Sequence, residues 1–176
     1  ASPDDTETLV KSWSDPRLRY YRNDPNLGRV GNYRRTLYEY ARGRWVLNLD
    51  GDDCLIDRSF ISAAVAAAEG EKDTVMVCAD RFERDDPFDL PAFSEDARET
   101  PPEYFDGTAY VLSLPKPAWR VHHLATLYDR EAAMAIGFYR KNIVSSDYES
   151  LWRLALGRPI AHIPARVAIW RRHGRN

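Results

Sequence analysis

The sequence predicts an α/β fold: a central, mainly parallel sheet flanked by helices. Three observations carry this. Helix-like and strand-like segments alternate along the chain; the strand-like runs are apolar almost throughout, as strands covered on both faces require; and 176 residues suit one domain, 1–176, with a real core.

In order, Asp5 to Trp13 reads as a short helix with Leu9 and Trp13 on one face. Arg17 to Arg22 is Tyr-rich and strand-like, closed by the turn cluster Asn23-Asp24-Pro25-Asn26. Gly31 to Gly43 reads as a helix whose inner side carries Leu37, Tyr38 and Ala41. Trp45-Val46-Leu47-Asn48-Leu49 is an apolar run ending in acids, as a buried central strand would be. An Ala-rich helix follows from Arg58 to Glu69, with Gly70 as its stop. Thr74 to Ala79 is the next buried strand.

Residues 81–106 are acidic, lack periodicity and hold Pro87, Pro91, Pro101 and Pro102. They read as a long loop over the active face, a plain surface insertion being the other reading. Val121 to Tyr128 is strand-like, and Arg130 to Ile136 forms a short helix ended by Gly137. Ser146 to Leu156 forms a helix whose Ser146 and Glu149 have capping-box spacing, and Gly157 ends it. Ile160 to Trp170 is the final strand region.

Composition narrows the function. A net charge of −2 argues against a general nucleic-acid binder, although Arg34-Arg35 and Arg171-Arg172 could meet phosphates. No apolar run reaches the roughly 20 residues needed to span a bilayer. The opening Ala1-Ser2-Pro3-Asp4-Asp5 is polar and acidic, unlike a signal peptide. Cys54 and Cys78 lie in apolar strand settings and read as buried thiols in a reducing cytoplasm, not as a disulfide.

The strongest chemical signal is Asp50-Gly51-Asp52-Asp53, three carboxylates in four residues at a strand end. Open α/β sheets bind ligands at such ends. Crowded carboxylates raise one another's pKa unless a cation neutralises them, and hard oxygen donors suit Mg²⁺ or Mn²⁺. A solvated acidic turn is the bland alternative.

The acids do not stand alone. Asn26-Leu27-Gly28, Gly31-Asn32, Tyr40 to Val46 and Leu49 to Leu55 follow one another in an order that resembles family 2 glycosyltransferases, which have the GT-A fold. Ser2-Pro3-Asp4-Asp5-Thr6 resembles the turn after that family's second strand, Ser146 to Trp152 its acidic Asp-Tyr-Glu helix start, and Ile169 to His173 its closing aromatic-x-x-His. The resemblance implies an inverting transfer of one sugar from a nucleotide-diphosphate sugar, UDP-linked by the family's habit, to a sugar, lipid-linked or protein acceptor. It implies Asp147 as the catalytic base and Asp50, Asp52, Asn32 and Arg35 as donor contacts. Asp52, Asp53 and His173 would hold Mn²⁺ or Mg²⁺, with Asp53 the most direct ligand. Trp119, His123 and Glu149 would lie on the acceptor side, although either of the adjacent His122 and His123 could equally contact the donor or be a packed structural histidine, and core packing is the favoured reading of Trp119 and Trp152. His162 matches no motif and reads as structural. Cell-surface polysaccharide or glycoconjugate synthesis, at the cytoplasmic side of a membrane, fits such chemistry.

The family pattern opens with a strand, a helix and a second strand that carries a base-binding Asp. This chain starts after both strands, so an N-terminally truncated GT-A domain is expected. The Gln-x-x-Arg-Trp motif of processive synthases is missing, which favours addition of a single sugar. Two rivals stand. The Val46 to Leu55 run also resembles haloacid-dehalogenase-type phosphatases, with Asp50 as nucleophile and Asp52 as general acid. A non-catalytic sugar- or partner-binding remnant of a transferase is the other. A calcium loop counted from Asn48 fails, with Asp53 where Gly is needed and Ser59 where Glu is needed.

Overall fold

Alternation of side chains along one strand sets the layers. In the computed structural model, which describes residues 4–85, 87–114, 116–117 and 119–173, strand β3 (Met76–Asp85) sends Met76 and Cys78 into one core and Val77 and Ala79 into another. The first core is closed by helices α2 (Gly28–Arg35) and α7 (Ser146–Ala155), through Val30, Tyr33, Leu151 and Leu154. The second is closed by α3 (Phe60–Gly70), whose Phe60, Ala64, Ala67 and Ala68 face the sheet. Small alanines let that helix lie close.

The remaining strands are β1 (Trp45–Leu47), β2 (Cys54–Leu55), β4 (Glu103–Asp106), β5 (Thr126–Asp129) and β6 (Pro159–Arg172). The sheet order is β1-β5-β3-β6-β2, with β4 also paired to β6. The expected α/β class holds, but the strand directions do not. Among the described residues only β3 and β6 run parallel; β1–β5, β3–β5, β2–β6 and β4–β6 are antiparallel. Hydrophobic periodicity carries no direction, and the long connection from β3 to β5 brings the chain back reversed.

Other elements depart from expectation for identifiable reasons. Helix α1 (Thr6–Lys11) buries no residue, and Leu9 and Trp13 are both more than half exposed. The Arg17 to Arg22 run is not a strand; Tyr21 instead stacks on Tyr40, ring centroids 3.8 Å apart. Helix α2 starts earlier than expected, because Gly28 adopts φ +70° and its N–H donates to Asn26 Oδ1 at 2.8 Å. It runs on as a π-helical turn over Thr36–Tyr40. The Val121 to Tyr128 run begins with a 3₁₀ turn, His123–Ala125, before β5. The capping box at α7 is not made. Ser145 is the N-cap, the buried Ser146 Oγ has no hydrogen-bond partner among the described residues, and Glu149 pairs with Arg153 at 2.9 Å.

Helices α5 (Gly107–Leu112) and α6 (Arg130–Ala135) are capped as chemistry favours. Asp106 accepts from the Ala109 N–H at 2.7 Å, and Asp129 accepts from the Ala132 N–H at 2.8 Å.

The segment 81–106 is not a structureless loop. β3 runs to Asp85, α4 (Asp96–Glu99) and β4 follow, and the stretch between is pinned by one buried acid. Asp57 accepts from Ser59 N–H (2.8 Å), Ser59 Oγ (2.7 Å), Ser94 Oγ (3.1 Å) and Ala97 N–H (3.0 Å). Burial pushes its carboxyl up, but these donors outweigh burial and hold it below the ordinary carboxylate value. The depressed pKa means a stabilisation that is present above the unfolded-state value and is lost as pH falls through the folded one. Asp57→Ala is expected to cost about 2–3 kcal/mol in urea unfolding at neutral pH, because several donors lose a charged acceptor. The gap between variant and wild type should narrow below about pH 4.

Candidate active site

The turn after β1 is fixed before it reaches the acids. Asn48 Oδ1 accepts from Tyr128 Oη at 2.7 Å and from Tyr139 Oη at 3.0 Å. Tyr139, held at φ +56°, is itself anchored by its N–H to Ser150 Oγ in α7 at 2.9 Å. The β1 end and the α7 start are therefore tied through one tyrosine.

Beyond Asn48, each acid takes a different partner. Both oxygens of Asp50 lie 2.6 Å from Tyr33 Oη, which donates from α2. Asp52 Oδ2 is 2.9 Å from His173 Nε2. Asp53 Oδ1 accepts from the Arg171 N–H at the end of β6 at 3.1 Å. Burial pushes the half-buried Asp53 carboxyl up to about 6, and the charges of Asp52 and Asp50 add to the rise against that hydrogen bond.

These acids, His173 and Asp147 in the first turn of α7 line one cavity of about 730 Å³. His123 forms part of its wall, with Nε2 2.7 Å from Tyr139 Oη and its ring edge-on to Tyr33 at 5.0 Å. Burial lowers the His123 pKa, and the negative Asp147 and Asp50 oppose this only in part. His123 is therefore a neutral hydrogen-bonding group. Its neighbour His122 is half-buried, with the inaccessible Nδ1 unpartnered among the described residues and a pKa lowered by desolvation to about 4.

Not every expected residue is in this cavity. Asn32 Oδ1 accepts from Asn23 Nδ2 at 2.8 Å, and Arg35 donates to Asn23 Oδ1 at 2.9 Å. Both hold the 23–26 turn against α2 and line no part of the carboxylate cavity. Trp119 is core: it stacks on the buried His162 at 4.4 Å and on Tyr110 at 4.5 Å. Glu149 is taken by Arg153. From the segment 81–106, Arg81 reaches this cavity, whereas Pro91, Ala92, Ser94 and Asp96 line a separate one of about 740 Å³. Tyr33, Tyr148 and Trp170, which neighbour or fall within the motif residues, also line the site, as do Arg29 and Arg81, for which the sequence gives no signal.

The profile of the family described as glycosyl transferase family 2 matches residues 1–137. The chain belongs to glycosyl transferase family 2. No match is found among curated proteins. With its open mixed sheet between helices, the fold is GT-A-like. Membership implies a nucleotide-sugar donor and an acceptor, and it removes the phosphatase reading of Asp50. No helix among the described residues is long and apolar enough to cross a membrane.

Members of this family often use a divalent cation, and the donor chemistry here suits one. Asp52, Asp53 and His173 offer hard oxygens and an imidazole, and the Asp53 carboxyl, raised chiefly by burial, also feels the charges of Asp52 and Asp50. Among the described residues no three such side chains converge on one point.

Proposed function

We propose that residues 1–176 belong to one catalytic domain that transfers a single sugar, with inversion, from a UDP-sugar to an acceptor hydroxyl in surface polysaccharide or glycoconjugate synthesis. The supporting observation is that Asp50, Asp52, Asp53, His173 and Asp147, drawn from three separate parts of the chain, line one cavity. A bound Mn²⁺ or Mg²⁺ would offset the charge building on the departing nucleoside diphosphate. Asp52, Asp53 and His173 are the residues to hold it. Asp50, braced by Tyr33, faces the donor end. Asp147, in the first turn of α7, takes the proton from the attacking acceptor hydroxyl. Direct attack assisted by a single base inverts the anomeric centre. His123, half-buried and hydrogen-bonded to Tyr139, serves as a fixed polar wall against the substrate.

Titration with UDP in the presence of Mn²⁺ tests this reading. Wild type should bind UDP only with metal, and Asp53→Asn should weaken that binding at least about tenfold, the scale of losing one charged ligand. Because the Asp53 carboxyl must ionise to bind metal, wild-type affinity should fall as pH drops through about 6. Metal-independent binding, or binding unchanged in the variant, would remove the metal role.

A further inference from the structure

Each phenol has a single proton to give, and around the acidic turn this fixes the state of His123. Asn48 Oδ1 accepts from Tyr128 Oη at 2.7 Å and from Tyr139 Oη at 3.0 Å, which fills both lone pairs of that oxygen. If Tyr139 gave its proton to His123 instead, two oxygens would face each other at 3.0 Å with no hydrogen between them. The Tyr139 proton therefore points to Asn48. At the 2.7 Å contact between Tyr139 Oη and His123 Nε2 the imidazole must then be the donor. Burial, which outweighs the nearby carboxylates of Asp147 and Asp50, lowers the His123 pKa and keeps the ring neutral. A neutral imidazole carries one N–H, so His123 is the Nε2–H tautomer and its Nδ1 holds a lone pair.

The neighbouring phenols have no proton left for that lone pair. Tyr33, edge-on to the His123 ring at 5.0 Å, spends its own on Asp50. Tyr139 is fully buried and its N–H is held by Ser150 Oγ at 2.9 Å, so the arrangement is set in the core. His123 Nδ1 makes no hydrogen bond among the described residues and, unlike Nδ1 of His122, is not shut off from solvent. The ring belongs to the wall of the cavity that also holds Asp50 and Asp147. Water can satisfy such an acceptor, and a ligand that displaces the water must bring a hydrogen of its own. Phosphate and carboxylate oxygens have none, whereas sugar hydroxyls do.

We infer that Tyr139 is a positioning residue that locks His123 as the Nε2–H tautomer, and that His123 Nδ1 accepts a hydrogen bond from a sugar hydroxyl. The sugar half rests on the transferase reading of the cavity; the lock does not. NMR of the isotope-labelled imidazole at neutral pH tests the lock without ligand, since protonated and bare ring nitrogens resonate far apart. Wild type should carry the proton on Nε2. Asn48→Leu removes the acceptor of the Tyr139 proton, which should then go to His123 Nε2 and drive the imidazole proton to Nδ1. Tyr139→Phe, almost isosteric, should leave both tautomers populated, and it can be read even if the Asn48 variant does not fold. A wild-type proton on Nδ1, or a pure Nε2–H tautomer surviving in the variants, would overturn the lock. The sugar half is tested with Mg²⁺ and UDP, then with UDP-glucose, UDP-galactose or UDP-N-acetylglucosamine, and with glucose added to the UDP complex. At least one sugar should shift the Nδ1 signal towards the protonated range, and the arm in which it moves tells a donor sugar from an acceptor sugar. An equal shift with UDP alone would assign the hydrogen to the nucleotide and overturn the sugar half, as would no shift with any sugar while UDP binds. Failure of UDP to bind would instead strike the transferase reading and the sugar with it, while the lock stands or falls on its own measurement.

Discussion

Replacing Asp147 by asparagine is expected to lower sugar transfer about a hundred- to ten-thousand-fold, the usual contribution of a positioned general base, with Mn²⁺-dependent UDP binding preserved. The two readouts separate because Asp147 sits on α7, while Asp52, Asp53 and His173 come from the β1 turn and the end of β6. The amide is close to isosteric, so the α7 start should stay intact. Transfer is measured with labelled UDP-sugars and UDP binding by calorimetry. A variant that binds UDP and transfers normally would remove Asp147 from the chemistry. One that loses both functions would make it part of the donor site.

The second large effect concerns folding alone. A Cβ built on Gly107 would lie 2.5 Å from the Arg158 carbonyl oxygen and closer still to that of Ala155. Both obstacles are backbone, at the turn where α7 passes into β6, and the Gly107 N–H donates to the same Arg158 oxygen at 3.0 Å. Neither side can yield without moving an element. Gly107→Ala should therefore destabilise by about 3 kcal/mol or more, at the upper end of overpacking costs. A drop in the urea midpoint with unchanged slope would show this. A variant within about 0.5 kcal/mol of wild type, the range of an ordinary surface change, would mean that the backbone adjusts there.

How much of this was legible beforehand depends on what each signal measures. The acids after β1, Asp147 and His173 are chemically unusual residues in recognisable runs, and the fold brings them to one cavity. The helices with periodic apolar faces, α3 and α7, were equally readable, α3 within two residues at its start and one at its end. Strand direction was not, because pairing depends on partners distant in sequence. Asn32 and Arg35 share a motif with site residues yet turn towards Asn23, since side chains on one helix point in different directions. Arg81 was invisible for the opposite reason. Only the pairing of Arg81 with Ala168 and Glu83 with Trp170 brings its side chain over that tryptophan.

The pairing of β6 with β2, β3 and β4 sets an order of events. The contact between Asp52 and His173 closes a separation of 121 residues, and the one between Asp53 and Arg171 closes 118. Such distant closures come late, after local helices and hairpins have formed. A chain emerging from the ribosome would thus carry Asp52 and Asp53 without these partners until β6 arrives. The site then waits on β6: a product stopped short of that strand could build much of its helical layer and still lack a place for the donor.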